Sequence, residues 1–311
     1  MRTTNVTPRL PSTSLLLVSL LCGAIGIISG PTWAADGAPS GRLAFIREQN
    51  IWVMDLADRS LKQLTTSGDC VAPSWSPDGG KLVYVRGETW REAQLWVLDV
   101  AAGQAARLTD KPSDYLLPCW SPDGEWVACF AYDDGVQPTV DDNPSRLLKI
   151  NLQTKAVTIL GRGIWGVKSL TWSPQDRALA YSYGVQGQSV LAVLLLDEEG
   201  AKPRILREKG GPGDAEVTIR GVKWSDPAAI SFCEFVAAET CSLAIRKIAA
   251  DGTVAVVRDF GEVGNAAIAL TEAGGGGPWL LTDDEGLWLW QGGKKTKLLE
   301  NASDPAWSPA A

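Results

Sequence analysis

The sequence predicts an all-β fold, a six-bladed β-propeller with four short strands in each blade. A pentapeptide, Trp-Ser-Pro-Asp-Gly, stands at residues 75–79 and again at 120–124. Looser copies begin at Trp172 and Trp224, and a Trp-Ser-Pro copy begins at Trp307. The copies are 45, 52, 52 and 83 residues apart. The last interval fits two repeats of ~42 residues, a period typical of propeller blades.

The repeated motif predicts a tight turn between two strands. Apolar residues precede it, as in Tyr115–Trp120, and an alternating run such as Lys81–Val85 follows it. Pro77 presets φ at the first central position of a turn, and Gly79 accepts the left-handed conformation that a bulged hairpin needs. The tryptophan is expected to pack between neighbouring sheets.

Each repeat is expected to contain four strands, A to D from first to last. Strand A ends at the tryptophan, B follows the turn, C is an apolar run that often ends in Asp, and D ends in an apolar pair or in Leu-Thr. The sequence contains six runs of each of the types B, C and D, which predicts six sheets. The B runs begin at Leu43, Leu82, Val127, Leu179, Ile230 and Trp279.

The two ends of the sequence are expected to share one blade. The first repeat, Leu43–Thr65, has no strand A, whereas Ser303–Ser308 has the pattern of a strand A with nothing after it. A last strand that completes the first sheet leaves no exposed edge at the junction. We therefore expect a closed ring. The sixth repeat has drifted, with Asn265–Leu270 as its strand A and Glu272–Gly277 in place of the turn.

Four consecutive segments of the second repeat carry a resemblance to a known family. Trp75–Gly79, Lys81–Val85, Leu95–Val100 and Ala106–Asp110 resemble the WD40-like repeat of the TolB-type propellers. The resemblance covers residues 35–311 and is strongest in the first three repeats. It implies a periplasmic propeller that binds proteins, and it concerns the propeller alone, without the α/β domain that precedes it in TolB.

The first 34 residues have the pattern of a secretory signal peptide. Two arginines and no acid precede the apolar run Leu15–Ile28, and small residues follow it up to Ala34 and Ala35. The run is shorter than the ~20 residues that span a bilayer. We expect cleavage after Ala34 or Ala35 and a periplasmic or secreted product. Lipid attachment at Cys22 is the less favoured alternative, because Leu21 stands where a small residue is needed.

Charge and cysteine content limit the partners and the redox state. The formal net charge of −7 argues against nucleic acid and anionic membrane surfaces as partners. No later stretch approaches a membrane span, and a monomer is expected. In an oxidising compartment Cys233 and Cys241 could form a disulfide across two adjacent strands.

The absence of histidine limits the catalytic and metal-binding sites that the chain can form. The sequence contains none, which excludes Ser-His-Asp and Cys-His catalysis and His-liganded zinc. No catalytic residue, metal or cofactor is therefore expected. The acidic loop Asp133–Asn143 has enough oxygen ligands for calcium but lacks the spacing of a known calcium loop, so a solvated insertion is the favoured interpretation.

The candidate binding site is the end of the channel where the A strands begin, which we call the channel mouth. Aromatic and mixed-charge residues there suit a peptide or protein segment. We expect an exported, non-catalytic binding scaffold. One alternative is a metal-assisted hydrolase or lyase acting on a glycan or small ester, and another is an envelope protein that binds through its blade edges. The expected partner-binding residues are Asp69, Asp114, Tyr115, Trp165, Lys168, Arg220, Asn265 and Asp304.

Overall fold

A computed structural model shows that the chain forms six antiparallel sheets of four strands each. The sheets contain 24 strands, and no α-helix occurs among the described residues. The structure describes residues 41–88, 92–132, 144–184, 187–197, 200–210, 215–237, 242–249, 251–262, 269–272, 279–283, 285–291 and 293–309.

Blades 1 to 3 contain the strands from both ends of the chain, and the strands of each blade are named from the innermost to the outermost. Blade 1 consists of β24 (Ser303–Trp307), β1 (Arg42–Arg47), β2 (Asn50–Asp55) and β3 (Leu61–Gln63). Blade 2 consists of β4 (Cys70–Trp75), β5 (Lys81–Arg86), β6 (Gln94–Asp99) and β7 (Gln104–Arg107). Blade 3 consists of β8 (Tyr115–Trp120), β9 (Trp126–Tyr132), β10 (Pro144–Asn151) and β11 (Val157–Trp165).

Blades 4 to 6 follow in the same order. Blade 4 consists of β12 (Ser169–Trp172), β13 (Ala178–Tyr183), β14 (Ser189–Leu195) and β15 (Arg204–Lys209). Blade 5 consists of β16 (Glu216–Asp226), β17 (Ala229–Ala237), β18 (Ser242–Ala249) and β19 (Val254–Glu262). Blade 6 consists of β20 (Ala269–Glu272), β21 (Trp279–Asp283), β22 (Gly286–Gln291) and β23 (Lys294–Glu300).

The ring closes as the sequence predicts. Strand β24 pairs antiparallel with β1, with Leu43 opposite Trp307 and Ala44 opposite Ala306. The last strand therefore supplies the inner edge of the first blade. The predicted six-bladed, closed all-β propeller is confirmed.

The core lies between the blades, where the faces of neighbouring sheets meet. One cluster joins blades 1 and 2 through Ala44, Ile51, Trp75 and Tyr84, and similar clusters join the other neighbouring pairs. The tryptophans of the C strands, predicted to be inter-blade core, pack against these clusters while staying partly buried. They are Trp52, Trp96, Trp288 and Trp290.

The repeated turn is held by its serine and its aspartate. The Ser76 hydroxyl accepts a hydrogen bond from Lys81 N at 2.8 Å and donates to Asp78 Oδ1 at 2.6 Å, while Asp78 Oδ1 also accepts from Gly80 N at 2.9 Å. Gly79 has a φ of +65°, as the left-handed position requires. The hydrogen bond from Ser76 is the main reason that the pKa of Asp78 is lowered.

Two strands extend further than the sequence pattern indicates. The predicted D run of blade 3 ends at Ile159–Leu160, but β11 continues to Trp165. The B run that begins at Ile230 also extends beyond Cys233, because β17 runs to Ala237. In both places the backbone hydrogen bonds between partner strands extend beyond the apolar residues from which the strands were predicted.

Several predictions fall outside the described residues and stay predictions. They concern the signal peptide at residues 1–34, Cys22, the acidic loop 133–143, Cys241 and Asn265. Cys233 is buried and lies opposite Ile245 on β18, but its predicted disulfide cannot be placed without Cys241. Among the described residues, no helix has the length and apolarity needed to cross a membrane.

Candidate functional site

The wall of the central channel is built by the A strands, which are linked to one another by the repeated tryptophans. In three of these tryptophans the indole N–H donates to the carbonyl that precedes the tryptophan of the previous blade. Because the indole nitrogens are largely buried, each bond satisfies a donor that would otherwise be costly to bury. The three bonds are Trp75 Nε1 to Ala306 O at 2.9 Å, Trp120 Nε1 to Ser74 O at 3.1 Å and Trp172 Nε1 to Cys119 O at 3.2 Å.

A β-bulge lies three residues before the tryptophan in four of the A strands. The residue there has a positive φ, and the register with the B strand shifts at the same place. Three of these residues precede a proline, which is tolerated in edge strands at bulges because it has no N–H to donate. The bulge residues are Ala72 (φ +51°), Leu117 (φ +54°), Gly221 (φ +58°) and Asp304 (φ +46°).

Asp69 stands at the channel mouth but is already paired. It directly precedes β4, and both of its carboxylate oxygens accept from Arg86 Nε at 3.1 Å. Arg86 also stacks on Trp96, with its guanidinium carbon 4.9 Å from the ring centroid. This ion pair stabilises the contact between the end of β5 and the start of β4.

Tyr115 begins β8 and Asp114 directly precedes it, but both are buried, each with 8% of its surface exposed. The Tyr115 hydroxyl donates to Lys111 O at 3.1 Å, and Asp114 O accepts from Tyr132 N at 3.4 Å. The sequence predicted both residues at the mouth, and the structure shows that both are largely buried.

Trp165 is the exposed aromatic residue at this end of the propeller. Of the tryptophans that the structure describes, it alone is exposed, with 39% of its surface accessible. It ends β11, the outermost strand of blade 3, and the connection to β12 follows it. It therefore lies on the mouth-side face at the outer part of blade 3. Lys168, in the same connection, is partly buried, and its N–H donates to Ser182 O at 2.8 Å.

Arg220 and Asp304 lie on inner strands. Burial shifts the pKa of each side chain in the direction that disfavours its charged form. Burial lowers the pKa of Arg220, which the nearby Glu216 partly opposes. Burial raises the pKa of Asp304 to about 7, and the N–H of Ala72, 3.4 Å from Asp304 Oδ2, opposes this rise. Asn265 lies outside the described residues.

The structure thus separates the predicted site residues into two groups. Asp69, Asp114 and Lys168 stand where the A strands begin, whereas Trp165 lies further out on the same end. The sequence analysis missed Arg86 and the bulges. A signal for the bulges was present, since Pro73, Pro118 and Pro305 each stand two residues before a motif tryptophan.

A model of a known protein family matches the repeats. It is described as the TolB beta propeller domain and matches residues 19–214, more than half of the chain. The chain belongs to the TolB β-propeller family. This agrees with the repeat, the ring closure and the inter-blade tryptophan bonds described above.

Individual relatives of this TolB-type propeller resemble parts of it. "Uncharacterized peptidase YuxL" of Bacillus subtilis is 32% identical over 115 residues, 33% of this chain and 17% of the relative. "Tol-Pal system protein TolB" of Hahella chejuensis is 37% identical over 82 residues, 24% of this chain and 19% of the relative. The chain thus spans about a fifth of the length of these two curated relatives.

A solved structure shows the same fold as this TolB-type propeller. The crystal structure of TolB from Acinetobacter baumannii aligns with a TM-score of 0.62 and 18% identity, covering 88% of this chain and 69% of that one. At this identity the similarity establishes the architecture alone.

The opposite end of the TolB-type propeller carries a groove of about 410 Å³ between blades 1 and 2. It is lined by the turns of these blades and contains Arg42, Asp55, Lys62 and Asp78. Arg42 is engaged there, since it donates to Gly79 O at 2.6 Å and stacks on Trp75. Within the described ranges, no group of three or more Cys, Asp or Glu side chains is placed to hold a metal ion.

Proposed function

We propose that this TolB-type propeller is an exported, non-catalytic scaffold that binds a protein or peptide of the cell envelope at its mouth-side face. The observation that carries the proposal is the exposure of Trp165, in a fold whose other described tryptophans are buried or partly buried. Exposed tryptophan is enriched among the residues that dominate protein interfaces. Family membership supports the same function.

The composition supports a non-catalytic role. A chain without histidine lacks the general base of the commonest hydrolytic sites. The four described cysteines are Cys70, Cys119, Cys129 and Cys233, and burial raises the pKa of the first three. Those thiols are therefore poor nucleophiles at neutral pH. Turnover of a metabolite, glycan or ester by the purified chain would overturn this part of the proposal.

The export part of the proposal rests on the signal-peptide pattern of residues 1–34. N-terminal sequencing of the protein recovered from a periplasmic fraction tests it directly. Cleavage after Ala34 or Ala35 is the expected result. An intact N-terminus in the cytoplasmic fraction would contradict it, and a lipid-modified Cys22 would replace free export by membrane anchoring.

Partner binding is tested by crosslinking capture from envelope extract, followed by measurement of affinity with the purified captured protein. The variant is Trp165→Ala, and the matched control is Val157→Ala, since Val157 lies on the same strand with 55% of its surface exposed but at the far end of the blade. We expect affinity to fall at least about tenfold for Trp165→Ala and to stay unchanged for Val157→Ala.

Two outcomes would contradict the mouth-side assignment. Equal capture by Trp165→Ala and the parent would move the interface away from Trp165. Loss of binding with Val157→Ala alone would place the partner on the blade edge instead. Variants of Asp114 and Tyr115 are poorer probes, because both residues are buried with partners inside the fold.

A further inference from the structure

The inner strands of blades 1 and 2 meet at a seam that contains a titratable group. Two hydrogen bonds cross this seam, and both donors lie on β4 and both acceptors on β24. Ala72 N donates to Asp304 Oδ2 at 3.4 Å, and Trp75 Nε1 donates to Ala306 O at 2.9 Å. We call this pair of contacts the 1/2 seam. It joins the ring-closing strand to the next blade.

The carboxyl group distinguishes the 1/2 seam from the equivalent seams that the structure describes. The indole bond recurs between blades 2 and 3 and between blades 3 and 4. At the bulge position where blade 1 has Asp304, blades 2, 3 and 5 have Ala72, Leu117 and Gly221. None of these three side chains can take or lose a proton.

Among the residues that the structure describes, no charged side chain pairs with Asp304. The titratable and charged groups on the strands packed against β24 are Arg42 and Arg47 of β1, Cys70 of β4 and Asp283 of β21, and β22 has none. Each is engaged elsewhere: Arg42 with Trp75, Arg47 with Trp52, Cys70 with Ser67, and Asp283 with Trp288 and Lys295. Asp69, just before β4, is paired with Arg86.

Within the described part of the chain, the partly buried Asp304 carboxyl has one weak hydrogen bond and no cation beside it, and such surroundings favour the neutral form. In that form its carbonyl oxygen still accepts from Ala72 N, so the contact survives without a buried charge. The raised pKa of Asp304, about 7, agrees with this geometry. Ionisation leaves a negative charge that the single N–H does not compensate.

We propose that Asp304 makes the 1/2 seam proton-sensitive: the neutral carboxyl keeps β24 against β4, and ionisation draws the carboxylate toward channel water and loosens the contact with Ala72. The inner edge of the ring-closing strand thereby responds to pH near neutrality. The seam lies between innermost strands, whereas Trp165 ends the outermost strand of blade 3, and this proposal holds whether or not a partner binds at Trp165.

The test follows the indole N–H signals of the ¹⁵N-labelled protein by NMR from pH 5 to 8.5, with Trp75 and Trp120 assigned through Trp→Phe variants. The Trp75 signal reports the 1/2 seam, and the Trp120 signal is the internal control, since its seam has no carboxyl group. We expect the Trp75 signal to shift with a midpoint near pH 7, the Trp120 signal to stay constant, and the Trp75 shift to disappear in Asp304→Asn.

A Trp75 signal that is constant over this range, or that shifts equally in Asp304→Asn, overturns the proposal. The ¹³Cγ signal of Asp304 in the parent protein gives a second measurement that does not depend on the variant's folding. A carboxyl that titrates near its ordinary value of 3.8 would also overturn it. Neither result bears on the binding role of Trp165, which the capture experiment tests separately.

Discussion

Arg42 and Ser308, 266 residues apart, form two reciprocal hydrogen bonds. Arg42 N donates to the Ser308 hydroxyl at 2.9 Å, and Ser308 N donates to Arg42 O at 2.7 Å. The same pattern joins Ser76 and Lys81 at 2.8 and 2.9 Å within one continuous turn. The ring closure thus reproduces, between distant parts of the chain, the hydrogen bonds that elsewhere hold a turn of a few residues.

The closing pair makes Ser308→Ala a direct test of the ring junction. Removing the hydroxyl leaves the N–H of Arg42 without its acceptor, and we expect the free energy of unfolding to fall by about 1 to 2 kcal/mol in urea titrations. Ser303→Ala is the matched control, because Ser303 is exposed on β24, the strand that Ser308 directly follows, and it should change stability by less than about 0.5 kcal/mol. Equal effects of the two substitutions would show that Ser308 has no special part in closure.

Trp75→Phe tests the inter-blade indole bond. The substitution removes the donor to Ala306 O in a buried position, and the lost hydrogen bond should cost about 0.5 to 1.5 kcal/mol beyond the lost packing. Trp224→Phe controls for the smaller ring, because the buried indole nitrogen of Trp224 has no hydrogen-bond partner among the described residues. We expect the urea midpoint to fall clearly further for Trp75→Phe, and a Trp224→Phe effect of the same size would contradict this.

A substitution at Glu234 tests the contribution of a buried ion-pair group that links two blades. It lies on β17 with 6% of its side chain exposed, and its two oxygens accept from Arg207 of blade 4 at 2.5 Å and from Arg246 of blade 5 at 2.6 Å. Glu234→Gln leaves two partly buried guanidinium groups without their counter-charge, and we expect a loss of about 3 kcal/mol in the free energy of unfolding.

The control for Glu234 is an ion pair at the surface. Glu285 has 65% of its side chain exposed and lies 3.5 Å from Lys297 Nζ. We expect Glu285→Gln to cost less than about 0.5 kcal/mol, since solvent screens exposed pairs. A small loss for Glu234→Gln, similar to that of Glu285→Gln, would show that the inter-blade pair does not contribute net stability.

Asp176 occupies the place of the turn glycine in blade 4, with a φ of +57°. Burial raises its pKa, with further contributions from Asp123 and Glu125, while the N–H of Asp123 opposes the rise. Because the folded state binds the proton more tightly than the unfolded state, the ionised side chain lowers stability above its folded pKa and has no such effect below the unfolded value of 3.8.

Two substitutions at this position separate charge from backbone strain. Asp176→Asn should raise the thermal midpoint at pH 7 and leave it unchanged near pH 3.5. Asp176→Gly should also relieve the left-handed backbone, adding about 0.5 to 1 kcal/mol at both pH values. A gain from Asn that persists at pH 3.5 would contradict the electrostatic explanation.

The features that the sequence determined by itself are local ones. The turn depends on residues within a few positions of each other, from Ser76 to Lys81, and strand alternation has a period of two. Six repeats of such units, with a strand missing at the start and one left over at the end, were enough to predict the number of blades and the closure through Trp307. The tryptophans were correctly assigned to the space between sheets for the same reason.

The tertiary structure alone decided which residues are available at the mouth. Tyr115 and Trp165 are both aromatic residues close to a predicted strand end, yet one is buried and the other exposed, because β11 extends to residue 165 and carries its last side chain out to the surface. The partners of Asp69, Glu234 and Asp304 lie on other strands or other blades. Burial and hydrogen bonding across blades depend on how the sheets pack around the channel, and no local pattern in the sequence contains that information.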